Sequence, residues 1–193
     1  MPVCSRDTGI YAGIFTGALF LMLLRRLKAQ KPPGMIISVL MCLFMLPMVM
    51  DGMLSYLGII DTNNITRLFT GAFFGLPIPF FLVPAARFDA CGTNAEAVLK
   101  NTAEIVLAYA ATIILCFLLL KGLVPYVAAG LIFILGFLFL LSRISFTVLF
   151  RIGRFKRKML YTVTGCTTLC IIITLYFIST YLLQPLKAIL LKG

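Results

Sequence analysis

A thiol, a guanidinium and a carboxylate fall within four positions of this chain, at Cys4, Arg6 and Asp7. A cation beside a thiol favours the thiolate, so Cys4 is a candidate reactive thiol. Asp7 either joins a charged site or caps the helix that follows. A second carboxylate, Asp51, lies in the apolar run LPMVMDGML. An ionised carboxylate at membrane depth is costly unless paired, and Arg6 or Arg67 would be its partner. Left unpaired, Asp51 would be a candidate proton carrier. The other reading of Asp51-Gly52 is a bend at the interface. The segment TNNITRLFTG adds Asn63, Asn64, Arg67 and Thr70. Guanidinium forks with neighbouring amides and hydroxyls are suited to holding and orienting an anion. Asn64 has the second reading of a helix cap.

The rest of the chain narrows the chemistry. There is no histidine, and the six cysteines show no zinc spacing, so no metal and no cofactor are expected. Met41, Met45 and Met48 share a helical face beside Cys42, a soft-ligand set that would suit Cu(I). Methionine more often fills gaps in a core, and they are read that way. No nucleophile–base pair is legible, so an enzyme is not the expected outcome.

Elements must hold those residues, and composition says what kind. Hydrophobic residues make up 62% of the 193 positions, against roughly 45–50% in soluble domains. The chain reads as an all-α, polytopic transmembrane bundle forming a single integral membrane domain. Six spans are expected, about Thr8–Leu24, Gly34–Ile60, Arg67–Ala86, Thr102–Leu120, Val124–Leu141 and Met159–Leu183. No cleavable signal precedes the first span, which is expected to remain in the mature protein. Spans within residues 1–86 carry the polar motifs, and residues 102–183 read as apolar scaffold. The net charge of +11 would suggest nucleic acid in a soluble chain. Here twelve of the seventeen Lys and Arg fall in alternate loops, so no nucleic acid partner is expected. The positive-inside rule makes those loops cytoplasmic and places both termini outside.

Spacing then brings the polar residues together. Gly9, Gly13 and Gly17 recur every fourth residue on one face of the first span, and Gly71 and Gly75 do so on the third. Small residues at this spacing let helix backbones approach closely. If the two faces meet, Arg6 and Asp7 are held beside Asn63, Asn64 and Arg67. In the third span Pro77, Pro79 and Pro84 follow the glycines, so this helix is expected to kink or break about midway. Carbonyls freed at such breaks coordinate cargo in transporters. Thr93 and Glu96 have capping-box spacing, with Glu96, Lys100 and Glu104 as a ladder on one helical face. Residues 143–158 wind into a basic interfacial face with Arg143, Arg151, Arg154, Arg157 and Lys158 on anionic lipid head groups. Phe146, Leu149 and Ile152 take the opposite side.

The stretches PVCSRDTGIYAG, DGMLSYLG and TNNITRLFTGAFFG resemble a prokaryotic family of polytopic membrane proteins known as a domain of unknown function. The matching residues are Cys4, Arg6, Gly9, Tyr11, Asp51, Gly52, Asn63, Asn64, Arg67, Thr70 and Gly71, over about residues 2–75. Typical members carry a further N-terminal helix and a Cys-His-Gln segment that this sequence does not show. The resemblance implies a cytoplasmic membrane and supplies no activity.

Taken together, the residues point to transport or to lipid or anion handling through an outer-face polar cluster. In that reading Arg6 and Arg67 are the cationic contacts, Asn63, Asn64 and Thr70 orient the group, and Asp51 is the counter-ion. The alternatives are a subunit of a membrane complex or a homodimer, and an embedded thiol or acid/base enzyme.

Overall fold

A computed structural model describes residues 4–58, 62–88, 96–152 and 157–183. Its helices are α1 (Ser5–Leu23), α2 (Met35–Tyr56), α3 (Asn64–Gly75), α4 (Pro77–Ala85), α5 (Thr102–Leu120), α6 (Tyr126–Ile152) and α7 (Arg157–Ile178), closed by a π-helical turn at Ser179–Leu183. Five helical segments are long and apolar enough to cross a membrane, with α3 and α4 counted together as Asn64–Ala85. The protein is an all-helical membrane protein, as its composition dictates.

The remaining helix, α1, does not meet that measure, and its place in the fold gives the reason. It runs through the middle, packed on α3, α4, α5 and α6. Nine of its 19 residues are buried, among them Thr8, Gly9, Gly13, Thr16 and Gly17. A helix surrounded by protein can carry glycine and threonine where a lipid-facing one needs large apolar side chains. Thr16 returns its hydroxyl to the Ala12 carbonyl at 2.7 Å, so burial leaves no orphan donor.

The glycine faces of α1 and α3 meet. A Cβ built on Gly9, Gly13 or Gly17 would press on the backbone carbonyl of Leu68, Ala72 or Leu76 in turn. Reciprocally, one on Gly71 or Gly75 would press on the carbonyl of Arg6 or Ile10. Backbone therefore lies on backbone along five glycines, close enough for Cα–H···O contacts. A third contact of this kind sets Gly136 of α6 against the Tyr11 carbonyl, with the Tyr11 ring edge-on to Phe133 and Phe137.

The third span is broken where its prolines require. Pro77 and Pro79 have no N–H to give to the turn before them, and α3 passes to α4 at Leu76. The break is packed rather than open. A Cβ on Gly17 would sit 2.9 Å from the Leu76 oxygen and 3.2 Å from Pro79 Cγ, and Pro77, Pro79 and Leu76 are buried.

Two expectations about helix limits fail. The second span does not break at Asp51-Gly52, because α2 is continuous through Pro47 to Tyr56. Its carboxylate is met from α1, so the chain has no need to leave the membrane there. The ladder at Glu96, Lys100 and Glu104 does not form on one helix, because α5 starts only at Thr102; Thr93 lies outside the described residues. Instead, Gln30 and Lys31 donate backbone N–H to the Glu96 carbonyl, and Val98 N–H donates to Lys31. Glu104 accepts a fork from Arg26 at 2.7 and 2.9 Å. These bonds join the segment after α1 to the start of α5, at the end of the bundle opposite Arg6. The turn out of α1 has Arg26 N–H on Leu21 O and Arg25 N–H on Met22 O, a Schellman closure. It places Arg25 at φ +56°, where α2 and α5 use Gly58 and Gly122.

Candidate functional site

At the N-terminal end of α1, Cys4 is the cap. Its sulfur accepts the Asp7 backbone N–H at 3.4 Å, and its thiol donates to Asp7 Oδ2 at 2.9 Å. The first bond is the cap half of a capping box with cysteine in the serine position; the second ties the thiol, not the cap's backbone N–H, to the Asp7 carboxylate. Asp7 is therefore not the cap that cap statistics suggest; it sits three residues in, where a carboxylate favours the helix dipole.

Arg6 points the other way, across to α2. Its Nη2 donates to Asp51 Oδ2 at 2.6 Å. The carboxylate is almost fully buried and the guanidinium partly so, with side-chain exposures of 5% and 26%. The glycine contact makes this possible: with the Arg6 carbonyl against Gly71, the α1 terminus is held down on α3. Gly52, beside the carboxylate, leaves space for Arg6 Nη1, which lies 3.9 Å from where a Cβ would be. Two atoms of the pair, Arg6 Nε and Asp51 Oδ1, are buried and have no hydrogen-bond partner among the described residues.

One turn along α2 from Asp51 stands Ser55. Arg67 of α3 donates Nη2 to its hydroxyl at 3.2 Å and Nε to the Thr62 hydroxyl at 2.8 Å. Two arginines, one from α1 and one from α3, thus reach the same edge of α2 four residues apart. Ser55 and Thr62 were not among the residues singled out from sequence. The spacing of Asp51 and Ser55 places them on one helical face and was the available signal.

The amides stay apart from this cluster. Asn63 is the cap residue of α3 but makes no side-chain cap bond, and Asn64, expected in that role, is the first helical residue. Both are exposed. Thr70 returns its hydroxyl to its own helix, at Thr66 O and Arg67 O, so it does not orient a group beside Arg67. Asp61 lies outside the described residues. The cluster that forms is Arg6, Asp51, Ser55, Thr62 and Arg67, with Cys4 and Asp7 turned to helix capping.

At the opposite end, the first part of the basic stretch read over 143–158 belongs to the bundle itself, and residues 153–156 lie outside the described residues. The bundle helix α6 runs on to Ile152. Arg143 is half-buried, its guanidinium 5.3 Å from the centre of the Phe139 ring. Arg151 donates to the carbonyls of Ala85 and, more distantly, Phe88, closing the end of α4. Phe146 is buried with Ala86 and Leu160. Arg154 lies outside the described residues, while Arg157 opens α7 and Lys158 follows it. Met41, from the methionine face, packs in the main core with Leu21, Leu76 and Phe80.

Among curated proteins, an uncharacterised protein of Methanocaldococcus jannaschii is 29% identical over 84 residues, 44% of this chain and 52% of that protein. An uncharacterised protein of Methanothermobacter thermautotrophicus is 36% identical over 70 residues, 36% of this chain and 59% of that protein. The chain thus spans between half and three-fifths of the curated relatives it matches. No solved structure matches. Residues 1–81 match the family described as "Predicted membrane protein (DUF2085)". That stretch contains α1, α2, α3 and the first half of α4, hence every glycine of the α1–α3 contact and both arginines of the cluster. Over the part that builds the candidate site, then, the chain is a match to the DUF2085 family of predicted membrane proteins.

Proposed function

We propose that this membrane protein binds an anionic group at the Arg6–Asp51–Arg67 cluster and acts in transport or lipid handling. The supporting observation is the buried Arg6–Asp51 pair, joined within the bundle with one polar atom on each side unpartnered among the described residues. Ionisable residues placed inside a membrane bundle are expensive and mark ligand or ion sites by default. In this reading Asp51 is the internal counter-ion that orients Arg6. Arg67, held only by neutral hydroxyls among the described residues, has a full positive charge to offer. The cluster faces the outside of a cell membrane, with both termini on that side, following the distribution of Lys and Arg.

The test is a native mass spectrum of the gently extracted protein beside Arg67→Ala and, as a control on an exposed position of α5, Leu107→Ala. A co-purifying phospholipid, polyprenyl phosphate or organic anion lost in Arg67→Ala and kept in Leu107→Ala supports the reading. Identical spectra for all three would overturn it. The reading as a partner subunit is favoured by α2, of whose 22 residues only Met41 and Asp51 are buried. Crosslinking from α2 that recovers one dominant partner would support that reading.

A further inference from the structure

At the other end of α1 is a second feature, independent of the polar cluster. The turns that close α1, α2 and α5 each put one residue at positive φ: Arg25 at +56°, Gly58 at +69° and Gly122 at +68°. Glycine adopts that conformation freely, whereas any residue with a Cβ is disfavoured there. An arginine in that place gives up stability to keep a side chain. That side chain lines a pocket of about 250 Å³ together with Leu24, Arg26, Glu96, Ala97 and Lys100.

The pocket walls are fixed from two sides. The segment after α1 and the segment before α5 pair at Lys31 and Ala97, and the Lys100 backbone N–H donates to Glu104 Oε2 at 2.9 Å. The same carboxylate takes the Arg26 fork, while Arg26 Nη1 also reaches the Val98 carbonyl at 3.2 Å. Glu104 thus neutralises Arg26 and holds Lys100 in position. Arg25 and Lys100 themselves have no ion-pair partner among the described residues, and both are exposed. Glu96 is the acid on the lining, also without an ion-pair partner among the described residues.

Two unpaired cations from separate segments, set on a braced wall, are complementary to a compact anion with several acceptor oxygens. We propose that Arg25 and Lys100 bind a phosphate group in this pocket, Arg25 as a fork and Lys100 as a point charge. The volume is below the roughly 300–1,000 Å³ of sites that enclose a whole drug-sized ligand, so the pocket admits the phosphate and leaves the rest of a larger molecule outside. A membrane lipid and a soluble phosphomonoester both present that group.

Arg25→Gly is the test variant, because it removes the cation and relieves the positive φ together. Native mass spectra of the detergent-extracted protein are titrated with phosphatidate or with glycerol 3-phosphate at about 0.15 M salt, where charges beyond about 8 Å are largely screened. The expected result is a bound equivalent whose affinity falls about tenfold or more in Arg25→Gly and in Lys100→Gln. Lys28→Gln, at an exposed lysine of the same turn that does not line the pocket, should change it by less than about twofold, and Glu96→Gln should tighten it. The Tm of Arg25→Gly should be at least that of the wild type. Preference for phosphatidate identifies a lipid source, and equal binding of glycerol 3-phosphate a soluble one. Absence of saturable binding, or an equal loss in Lys28→Gln and Arg25→Gly, overturns the proposal. So does weaker binding in Glu96→Gln, which would make the pocket a cation site, or a lower Tm in Arg25→Gly, which would make the side chain part of the turn. Binding lost in Arg67→Ala and kept in Arg25→Gly would move the phosphate to the outer cluster, so the two sites stand or fall separately.

Discussion

Asp51 shows how one residue's environment is decided by residues far away in sequence. A carboxylate in α2 surrounded by methionine and leucine can be tolerated only with a cation at its side, and Arg6, 45 positions earlier, provides it. Removing one member leaves the other buried without compensation, which costs about 3 kcal/mol, the lower end for such pairs because Arg6 is partly exposed. Arg6→Ala and Asp51→Ala should each lower stability by that order in detergent unfolding. The double substitution should lose less than the sum, by at least about 0.5 kcal/mol. Strict additivity in the double-mutant cycle would show that the two groups do not interact. Cys4 is a quieter case at the same scale: its sulfur serves the α1 terminus, in contact with the backbone N–H and the carboxylate of Asp7.

Among the helices, the decisive feature is the backbone contact of α1 with α3 and α6. A methyl group at Gly13 or Gly75 has no space because a carbonyl already occupies its position. Overpacking of this kind costs typically about 1–3 kcal/mol. Two glycines of α6 make the comparison within one helix. Gly136 faces the Tyr11 carbonyl, whereas Gly130 has nothing within 4 Å of its would-be Cβ. Gly136→Ala should therefore destabilise, and Gly130→Ala should be neutral or stabilising by up to about 1 kcal/mol, because glycine in a helix interior is disfavoured. Thermal unfolding of both variants in the same micelle would decide it, and equal effects would contradict the packing described. The two ends of α1 depend on this contact, since it fixes the height of Arg6 against Asp51.

For the whole molecule, the spatial organisation is a polar cluster at one end of α1 and a basic end at the other, with apolar helices around it. The orientation we propose follows the positive-inside rule: with the basic loops inside, Cys4 would be outside and Lys28 inside. In a background with the other cysteines removed, a membrane-impermeant maleimide should label Cys4 in intact cells. A cysteine introduced by Lys28→Cys should react only after permeabilisation. The reverse pattern would invert the bundle and put the arginine cluster on the cytoplasmic face. The family match over residues 1–81 ends within α4, so it covers the interlocked α1–α3 unit and the cluster. The helices that follow, α5, α6 and α7, lie beyond it and supply further walls around α1.

Sequence alone was sufficient for whatever follows from composition and local periodicity. Apolar runs of membrane length, the proline break in the third span and the glycine repeats on two helices are all properties of neighbouring residues along the chain. The bilayer and the helix geometry read such properties directly. Only the tertiary structure decided which polar groups share a site, because hydrogen bonds between helices depend on rotation and depth, which spacing leaves open. It selected Arg6 over Arg67 as the partner of Asp51, brought in Ser55 and Thr62, and left Asn63, Asn64 and Thr70 outside. It also kept α2 straight through Asp51-Gly52, since a carboxylate neutralised inside the bundle has no reason to seek water. In the same way Arg151 was assigned to the end of α4 by a helix that meets it, a contact for which its own segment holds no signal, whereas Arg143 on Phe139 is an i,i+4 pair within α6.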